Sequence, residues 1–142
     1  MISLIFDTNL IKMHETLAYI RVLESNNCKY IRHKSSAVGC YGMKPSTARE
    51  LGVKDARSYT AAKAYYWKLK SVVGDEKSVI FGWLKGYEGL RKNSYCKFPY
   101  RCYRNHWHVK RYTDIKPDCI NVLIDETFVD INLFNKKFKP IY

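Results

Sequence analysis

An apolar stripe that ends in a carboxylate runs through residues 10–26. Its apolar members recur at spacings of three, four and three residues: Leu10, Met13, Leu17 and Ile20. This spacing predicts one face of an α-helix over Leu10–Asn26, and Glu24 takes the next position on that face. Burying an ionised carboxylate is costly, so such a group forms an ion pair, reaches water or keeps its proton through a raised pKa. In the last case it is suited to act as a general acid.

The residues after Glu24 follow a recognisable pattern. Glu24-Ser25 is followed by a polar stretch and then by the run Ala37-Val38-Gly39-Cys40-Tyr41-Gly42-Met43-Lys44-Pro45-Ser46-Thr47-Ala48. This segment resembles the lytic transglycosylase domain of the soluble lytic transglycosylase and goose-type lysozyme superfamily. The family pattern is Glu-Ser, a spacer and Gly-Ala-x-Gly-Leu-Met-Gln-x-x-Pro-x-Thr-Ala. Aligned without gaps, Glu24 falls on the catalytic Glu, and the further matches are Ala37, Gly39, Pro45, Thr47 and Ala48.

The resemblance extends over residues 12–113. Ala64–Leu69 and the turn Val73-Gly74-Asp75 resemble a family helix and its Phe-Gly-Asp turn, and Gly86 matches a later glycine. The segment His108–Arg111 resembles the family's Tyr-Val segment. Three family positions differ, because the Gln, the Asn and a Ser are replaced here by Gly42, Leu84 and His33.

The fold that this resemblance implies is mainly α. We expect a lysozyme-like (α+β) domain over residues 1–113 and a short C-terminal β-hairpin-like extension over residues 114–142. The extension is predicted from the residues, since Ile120, Val122 and Ile124 alternate with other residues, as in a strand. Packing on the helical domain is the favoured role for it, ahead of a docking tail or a wall-binding edge.

Three further helices are predicted after the first. A Thr47-x-x-Glu50 capping box behind Pro45 predicts a short helix. Apolar periodicity predicts another over Asp55–Val73, and a third over Ser78–Lys85.

The resemblance implies cleavage of peptidoglycan without a cofactor or metal. Glu24 protonates the oxygen between N-acetylmuramic acid and N-acetylglucosamine, and its carboxylate then takes the proton of the muramyl 6-hydroxyl, which closes a 1,6-anhydro ring. The predicted substrate-binding residues are Ser25, His33, Ser36, Tyr41, Gly42, Met43, Trp83, Tyr87 and His108. Trp83, Tyr87 and Tyr41 offer rings that can stack on sugars. For Trp83, a place in the core of its own helix is an equal alternative.

Length limits the number of domains, and charge limits the class of partner. The 142 residues suffice for one domain with a core, and the 46% hydrophobic content argues against disorder. The net charge of +12 favours a polyanionic partner, for which nucleic acid, anionic membrane and acidic cell wall all qualify. No apolar run reaches the roughly 20 residues that span a bilayer.

The N-terminus and the cysteines bear on where the protein acts. Residues 1–7 do not resemble a secretory signal. The five cysteines are odd in number, without a Cys-x-x-Cys pair, so reduced thiols are expected rather than Cys28–Cys40 or Cys96–Cys102 bridges. We therefore expect synthesis in a host cytoplasm and a bacteriophage enzyme, associated with the virion or released at lysis, that acts on the wall in the periplasm. Other virion proteins are possible partners.

Several alternatives stay open. Glu24 pairing with Arg21 or Arg32 would make it structural. A goose-type hydrolase would need a second carboxylate, with Glu50, Asp55 and Asp75 as weak candidates.

Another class of alternative is an inactive structural virion protein or a nucleic-acid-binding protein. The basic and aromatic segment Lys92–Arg111 suits single-stranded nucleic acid, although nucleic acid is the less favoured partner. His106-x-His108 is only half of a metal site, and no metal is expected.

Overall fold

A computed structural model describes residues 8–33, 35–92, 102, 110–112, 114–115, 120–124 and 127–130. In these ranges the chain is mainly helical, which confirms the predicted mainly-α class. The named elements in chain order are α1 (Thr8–Ser25), α2 (Pro45–Glu50), α3 (Tyr59–Lys70), α4 (Glu76–Lys85), α5 (Tyr87–Lys92), β1 (Asn121–Ile124) and β2 (Thr127–Asp130).

Helix α1 lies where the apolar stripe predicts it. Met13, Leu17 and Ile20 are all at most 2% exposed and form the centre of the main core. The helix ends at Ser25, because Asn26 and Asn27 take left-handed φ angles of 50° and 62°. Asparagine tolerates this conformation better than most residues, so the helix stops where the sequence predicts.

The ends of the other helices differ from the predictions. Helix α2 has no side-chain cap at Lys44, and Pro45 is its first residue, so the predicted Thr47–Glu50 capping box is wrong. Helix α3 is shorter than predicted because the Ser58 hydroxyl accepts a hydrogen bond from Ala61 N–H and fixes a later start. Asp75 caps α4 in the same way through Ser78 N–H.

The main core forms where α1 packs against α3 and α4. Helix α3 contributes Ala62, Tyr66 and Leu69, all at most 1% exposed. Helix α4 contributes Val79 and Ile80. The predicted apolar faces of both helices are therefore the buried ones, and α1 is held along most of its length.

The two strands lie on the other side of α1. They pair antiparallel, with Asn121 opposite Asp130 and Ile124 opposite Thr127. Ile120 and Val122 are fully buried and pack with Ile11 and Ala18 of α1 in a second apolar cluster. This packing places β1 directly on the helix that carries Glu24. Across the described ranges, no helix is long and apolar enough to cross a membrane.

Candidate active site

The C-terminal end of α1 turns sharply immediately after Glu24. Asn26, Asn27 and Cys28 are three consecutive residues with left-handed φ angles, the last of 71°. Their turn is closed by hydrogen bonds from Asn26 N–H to the Val22 carbonyl and from Asn27 N–H to the Arg21 carbonyl. The chain therefore reverses beside the helix end, and the following residues pass close to Glu24.

A tight loop, Val38–Met43, lies opposite this helix end. Val38 and Met43 exchange two backbone hydrogen bonds of 2.9 and 3.1 Å, and Gly42 N–H donates to the Gly39 carbonyl. Val38 also forms a single antiparallel bridge with Arg32. Gly42 has a φ of +57°, which glycine adopts without the penalty that a β-carbon brings.

Glu24, His33 and Gly42 meet at one point. A β-carbon on Gly42 would collide with Glu24 Oε2 and lie 3.3 Å from Cε1 of His33. His33 is itself held by a 2.8 Å hydrogen bond between its Nε2 and the Gly39 carbonyl. The absence of a side chain at position 42 thus makes room for the Glu24 carboxyl, and the imidazole lies beside it.

Burial raises the pKa of Glu24 to about 7. Desolvation is the main cause, because a carboxyl group away from water favours its neutral form. The positive charges of His33 and Arg111 act in the opposite direction and moderate the rise. Arg111 lies against this end of the helix, since its Nη2 donates a 2.9 Å hydrogen bond to the Leu23 carbonyl.

The alternative in which Glu24 is a structural ion pair has no support in the described part of the chain, where none of the ion pairs involves Glu24. Arg21 is 1% exposed and points elsewhere. Its Nε donates to Asn27 Oδ1, its Nη1 to the Tyr41 hydroxyl, and its Nη2 to the Asn121 carbonyl. Arg21 therefore ties α1 to the loop and to β1.

A groove of about 370 Å³ has Gly42 in its lining. Its lining comes from the loop, α2, α3, α4 and α5: Gly42, Met43, Lys44, Thr47, Glu50, Tyr65, Lys68, Trp83, Lys85, Gly86, Tyr87 and Glu88. Four predicted substrate-binding residues, Gly42, Met43, Trp83 and Tyr87, are among them. Glu24 is not among these lining residues, but its Oε2 lies against the β-position of Gly42, so a single residue separates the candidate acid from the groove.

Two of the three aromatic residues that were predicted to contact a sugar, Trp83 and Tyr41, are buried. Trp83 is 8% exposed, donates from Nε1 to the Tyr41 carbonyl and meets the Tyr65 ring edge-on. Trp83 lines the groove with Met43, so its contact with a sugar stays a prediction, while its low exposure fits the alternative place in the core. Tyr41 is 4% exposed and accepts a hydrogen bond from Arg21, which places it in the core. Tyr87 is half-buried, and Lys68 Nζ lies 4.4 Å from the centre of its ring.

The remaining predicted contacts divide into three groups. Ser25 is 1% exposed, donates to the Arg21 carbonyl and accepts from Cys28 N–H, so its predicted contact with substrate is wrong. Its hydroxyl instead secures the end of α1. Ser36 is exposed and His33 is half-buried beside Glu24, so both stay predictions. His108 lies outside the described residues.

The three candidates for a second carboxylate have different surroundings. Asp55 accepts a hydrogen bond from Arg57 N–H, and Asp75 caps α4. Only Glu50 of the three lines the groove, where Lys68 Nζ lies 4.0 Å from its Oε2. Glu88 lines the groove as well and was not predicted.

Cys28 and Cys40 form a disulfide, with their Cα atoms 4.6 Å apart. The expectation of reduced thiols is wrong for this pair, and Cys102 is also disulfide-bonded. The left-handed turn at 26–28 brings the chain back to the loop, and no cysteine spacing reveals such a return. The sequence interpretation also missed Arg111 and the lysines of the groove, for which long-range folding is the only signal.

Comparisons of the chain with protein-family models, with curated proteins and with solved structures gave no match.

Proposed function

We propose that this protein cleaves peptidoglycan glycan strands as a lytic transglycosylase, with Glu24 as the acid and then the base. The observation that carries the proposal is a glutamate with a pKa of about 7 whose carboxyl lies against Gly42, a residue that lines a groove. Such a group is protonated in about half of the molecules at neutral pH. Both protonation states are needed in turn, so a pKa near the working pH serves both steps.

The chemistry follows from this one group. Protonated Glu24 donates its proton to the oxygen between N-acetylmuramic acid and N-acetylglucosamine while the C1–O bond breaks. The muramyl N-acetyl group supports the positive charge that develops at C1. The resulting carboxylate takes the proton of the muramyl 6-hydroxyl, whose oxygen bonds to C1 and closes the 1,6-anhydro ring. Glu24 ends protonated, and no water is consumed.

The groove has a chemistry that suits an acidic glycan. Lys44, Lys68 and Lys85 bring positive charge to its lining, and Tyr87 adds a partly exposed ring. Peptidoglycan carries carboxylates on its stem peptides, and opposite charge favours its capture. Glu50 and Glu88 interrupt this positive lining, so the groove is mixed in charge.

A lysozyme-like fold is part of the same proposal. The support is local: the candidate acid ends a helix, the antiparallel bridges Arg32–Val38 and Val38–Met43 follow, and helices complete the groove. A bacteriophage setting, with other virion proteins as partners, rests on the sequence resemblance alone.

Mass spectrometry of fragments released from purified peptidoglycan tests the proposal. Anhydro-muramyl ends produced by the wild type and lost in Glu24→Gln are the expected result. Reducing muramic ends would instead favour a hydrolase, and the groove position of Glu50 gives that second candidate a specific residue to test by Glu50→Gln. No cleavage by folded wild type would contradict both.

A further inference from the structure

The Cys28–Cys40 disulfide joins the two segments that form the site. Cys28 belongs to the turn after Glu24, and Cys40 belongs to the loop that carries Gly42. These are the segments whose close approach places the Glu24 carboxyl against the glycine. The covalent link therefore spans the same gap as the candidate catalytic contact.

The first residues after Cys28 have little packing of their own. Lys29, Tyr30, Ile31 and Arg32 are all exposed, Tyr30 by 60% and Ile31 by 53%. The loop is held by Tyr30 N–H donating to the Ser25 carbonyl, by the Arg32–Val38 bridge and by the His33–Gly39 hydrogen bond. The Val38–Met43 hydrogen bonds anchor the Cys40 end of this loop to the core, whereas the disulfide and the bonds at Ser25 hold its Cys28 end.

The backbone at Cys28 needs that attachment. Its φ of 71° is left-handed, a conformation that side chains with a β-carbon rarely adopt. The Ser25 hydroxyl, which accepts from Cys28 N–H, and the bond to Cys40 are its two supports. Without the disulfide, Cys28 is expected to relax toward an ordinary φ angle, and the movement of residues 29–33 that follows is expected to withdraw His33 from Glu24.

We propose that the Cys28–Cys40 pair is a redox gate, and that the Glu24 site is assembled in the disulfide form and loosened in the dithiol form. This regulation rests on the proposed function. A protein kept reduced, as in a bacterial cytoplasm, would be weakly active, and transfer to an oxidising compartment such as the periplasm would activate it.

Activation is an ordinary thiol–disulfide exchange with a disulfide-carrying oxidant, either an oxidoreductase or oxidised glutathione. The Cys28 or Cys40 thiolate attacks a sulfur of the oxidant and forms a mixed disulfide, releasing the other sulfur as a thiolate. The second cysteine thiolate then displaces the oxidant. The pair loses two electrons and two protons, and the oxidant leaves as two thiols.

The test compares oxidised wild type with the Cys28→Ser/Cys40→Ser variant in two measurements. One is the rate of glycan cleavage, and the other is the titration of the Glu24 carboxyl carbon by NMR. The variant is expected to keep its helical circular dichroism, to lose at least about tenfold in rate, and to titrate closer to an ordinary glutamate, because a loosened site admits water. The titration does not depend on catalysis, so it decides the gate even if the wild type cleaves no glycan.

Two results would overturn the gate. One is a variant whose Glu24 titration, and cleavage rate where there is one, match those of the wild type. The other is a variant that loses its helical signal, since the disulfide would then support the whole fold rather than the site. Because a reducing agent also breaks the disulfide of Cys102, adding it to the double variant is the matched control. Little further change in rate or titration is expected in that variant, because it has no Cys28–Cys40 disulfide to reduce.

Discussion

Helix α1 carries two glutamates whose pKa burial raises, Glu15 in its first half and Glu24 near its end. Both are half-buried, and a nearby cation lowers the pKa of each. For Glu15 that cation is Lys12, on its own helix. The pKa by itself does not distinguish the two carboxyl groups as candidate acids.

Their surroundings do distinguish them. Glu15 borders a cavity of about 400 Å³ whose lining is crowded with charge, including Lys12, Asp75, Glu76 and Lys77. Glu24 does not itself line the groove; its Oε2 lies against the β-position of Gly42, which does, and the His33 imidazole lies beside it. A raised pKa reports burial, and both carboxyl groups have open space nearby, so the glycine loop and the imidazole are what set Glu24 apart.

The largest expected effect separates the two residues by activity. Glu24→Gln removes the proton that the leaving oxygen needs and should lower the cleavage rate by about 10²–10⁴-fold. Glu15→Gln makes the same chemical change at the other site and should leave the rate within about twofold. Release of soluble fragments from peptidoglycan measures both, and an equal loss in the two variants would refute the distinction.

The next effect tests the space beside Glu24. Gly42→Ala places a β-carbon against Glu24 Oε2 in a left-handed backbone, so it should displace the carboxyl and lower the rate by about 10–100-fold. Gly52→Ala is the matched control, because Gly52 has a similar φ of +76° and nothing within 4 Å of its β-position. It should lose about 1–2 kcal/mol of stability and keep its activity.

Stability should depend on pH in the direction that a raised pKa dictates. Folded Glu24 keeps its proton up to about pH 7, whereas in the unfolded chain it ionises near its ordinary 4.5. The native state therefore binds more protons between these values, and stability falls as pH rises through them. Because glutamine does not ionise, the Glu24→Gln variant does not lose this part of its free energy of unfolding. It should therefore be more stable than wild type by about 1–3 kcal/mol at pH 8.5.

The comparison at low pH provides the control for that stability gain. At pH 4 the gain should nearly vanish, because Glu24 is then largely protonated in both states. Chemical denaturation at the two pH values measures it. Glu15→Gln should change in the same direction, since burial raises the pKa of Glu15 as well. A gain at pH 4 as large as that at pH 8.5 would contradict the protonation argument.

The smallest effect concerns the cation beside each glutamate. Arg111→Met removes a charge that lowers the pKa of Glu24, so that pKa should rise slightly and move the high-pH limb of the activity profile upward. The effect is small because Arg111 is exposed and solvent screens it. Lys12→Met should raise the pKa of Glu15 and leave the activity profile unchanged. NMR titration of both carboxyl groups checks the pair.

Local patterns predicted the helical part of the fold well. The three-four-three spacing on α1 identified residues that are buried, because a helix that packs on others must show one apolar face. Helix ends were harder, as the unused Thr47–Glu50 box shows, since α2 begins at Pro45 with Lys44 at its N-cap and no side chain caps that end. The two paired strands fall where alternating apolar residues begin at Ile120.

The side chains of the site were predicted less well than its position. Three of the predicted contact residues use the polar atom of the side chain in a hydrogen bond within the protein: Ser25, Tyr41 and Trp83. A motif position shows where a residue falls along the chain, whereas its side chain's direction depends on neighbours that are distant in sequence. Tyr41 and Trp83, for example, are joined by a hydrogen bond across 42 positions.

The sequence by itself determined that Glu24 ends the apolar face of a helix, because that follows from the 3.6-residue repeat. Only the tertiary structure decided what surrounds this carboxyl group. The turn at 26–28, the Cys28–Cys40 bond and the empty β-position of Gly42 come together through long-range contacts. Those contacts remove water from Glu24 and raise its pKa, and desolvation is a property of the packed chain that no local pattern contains.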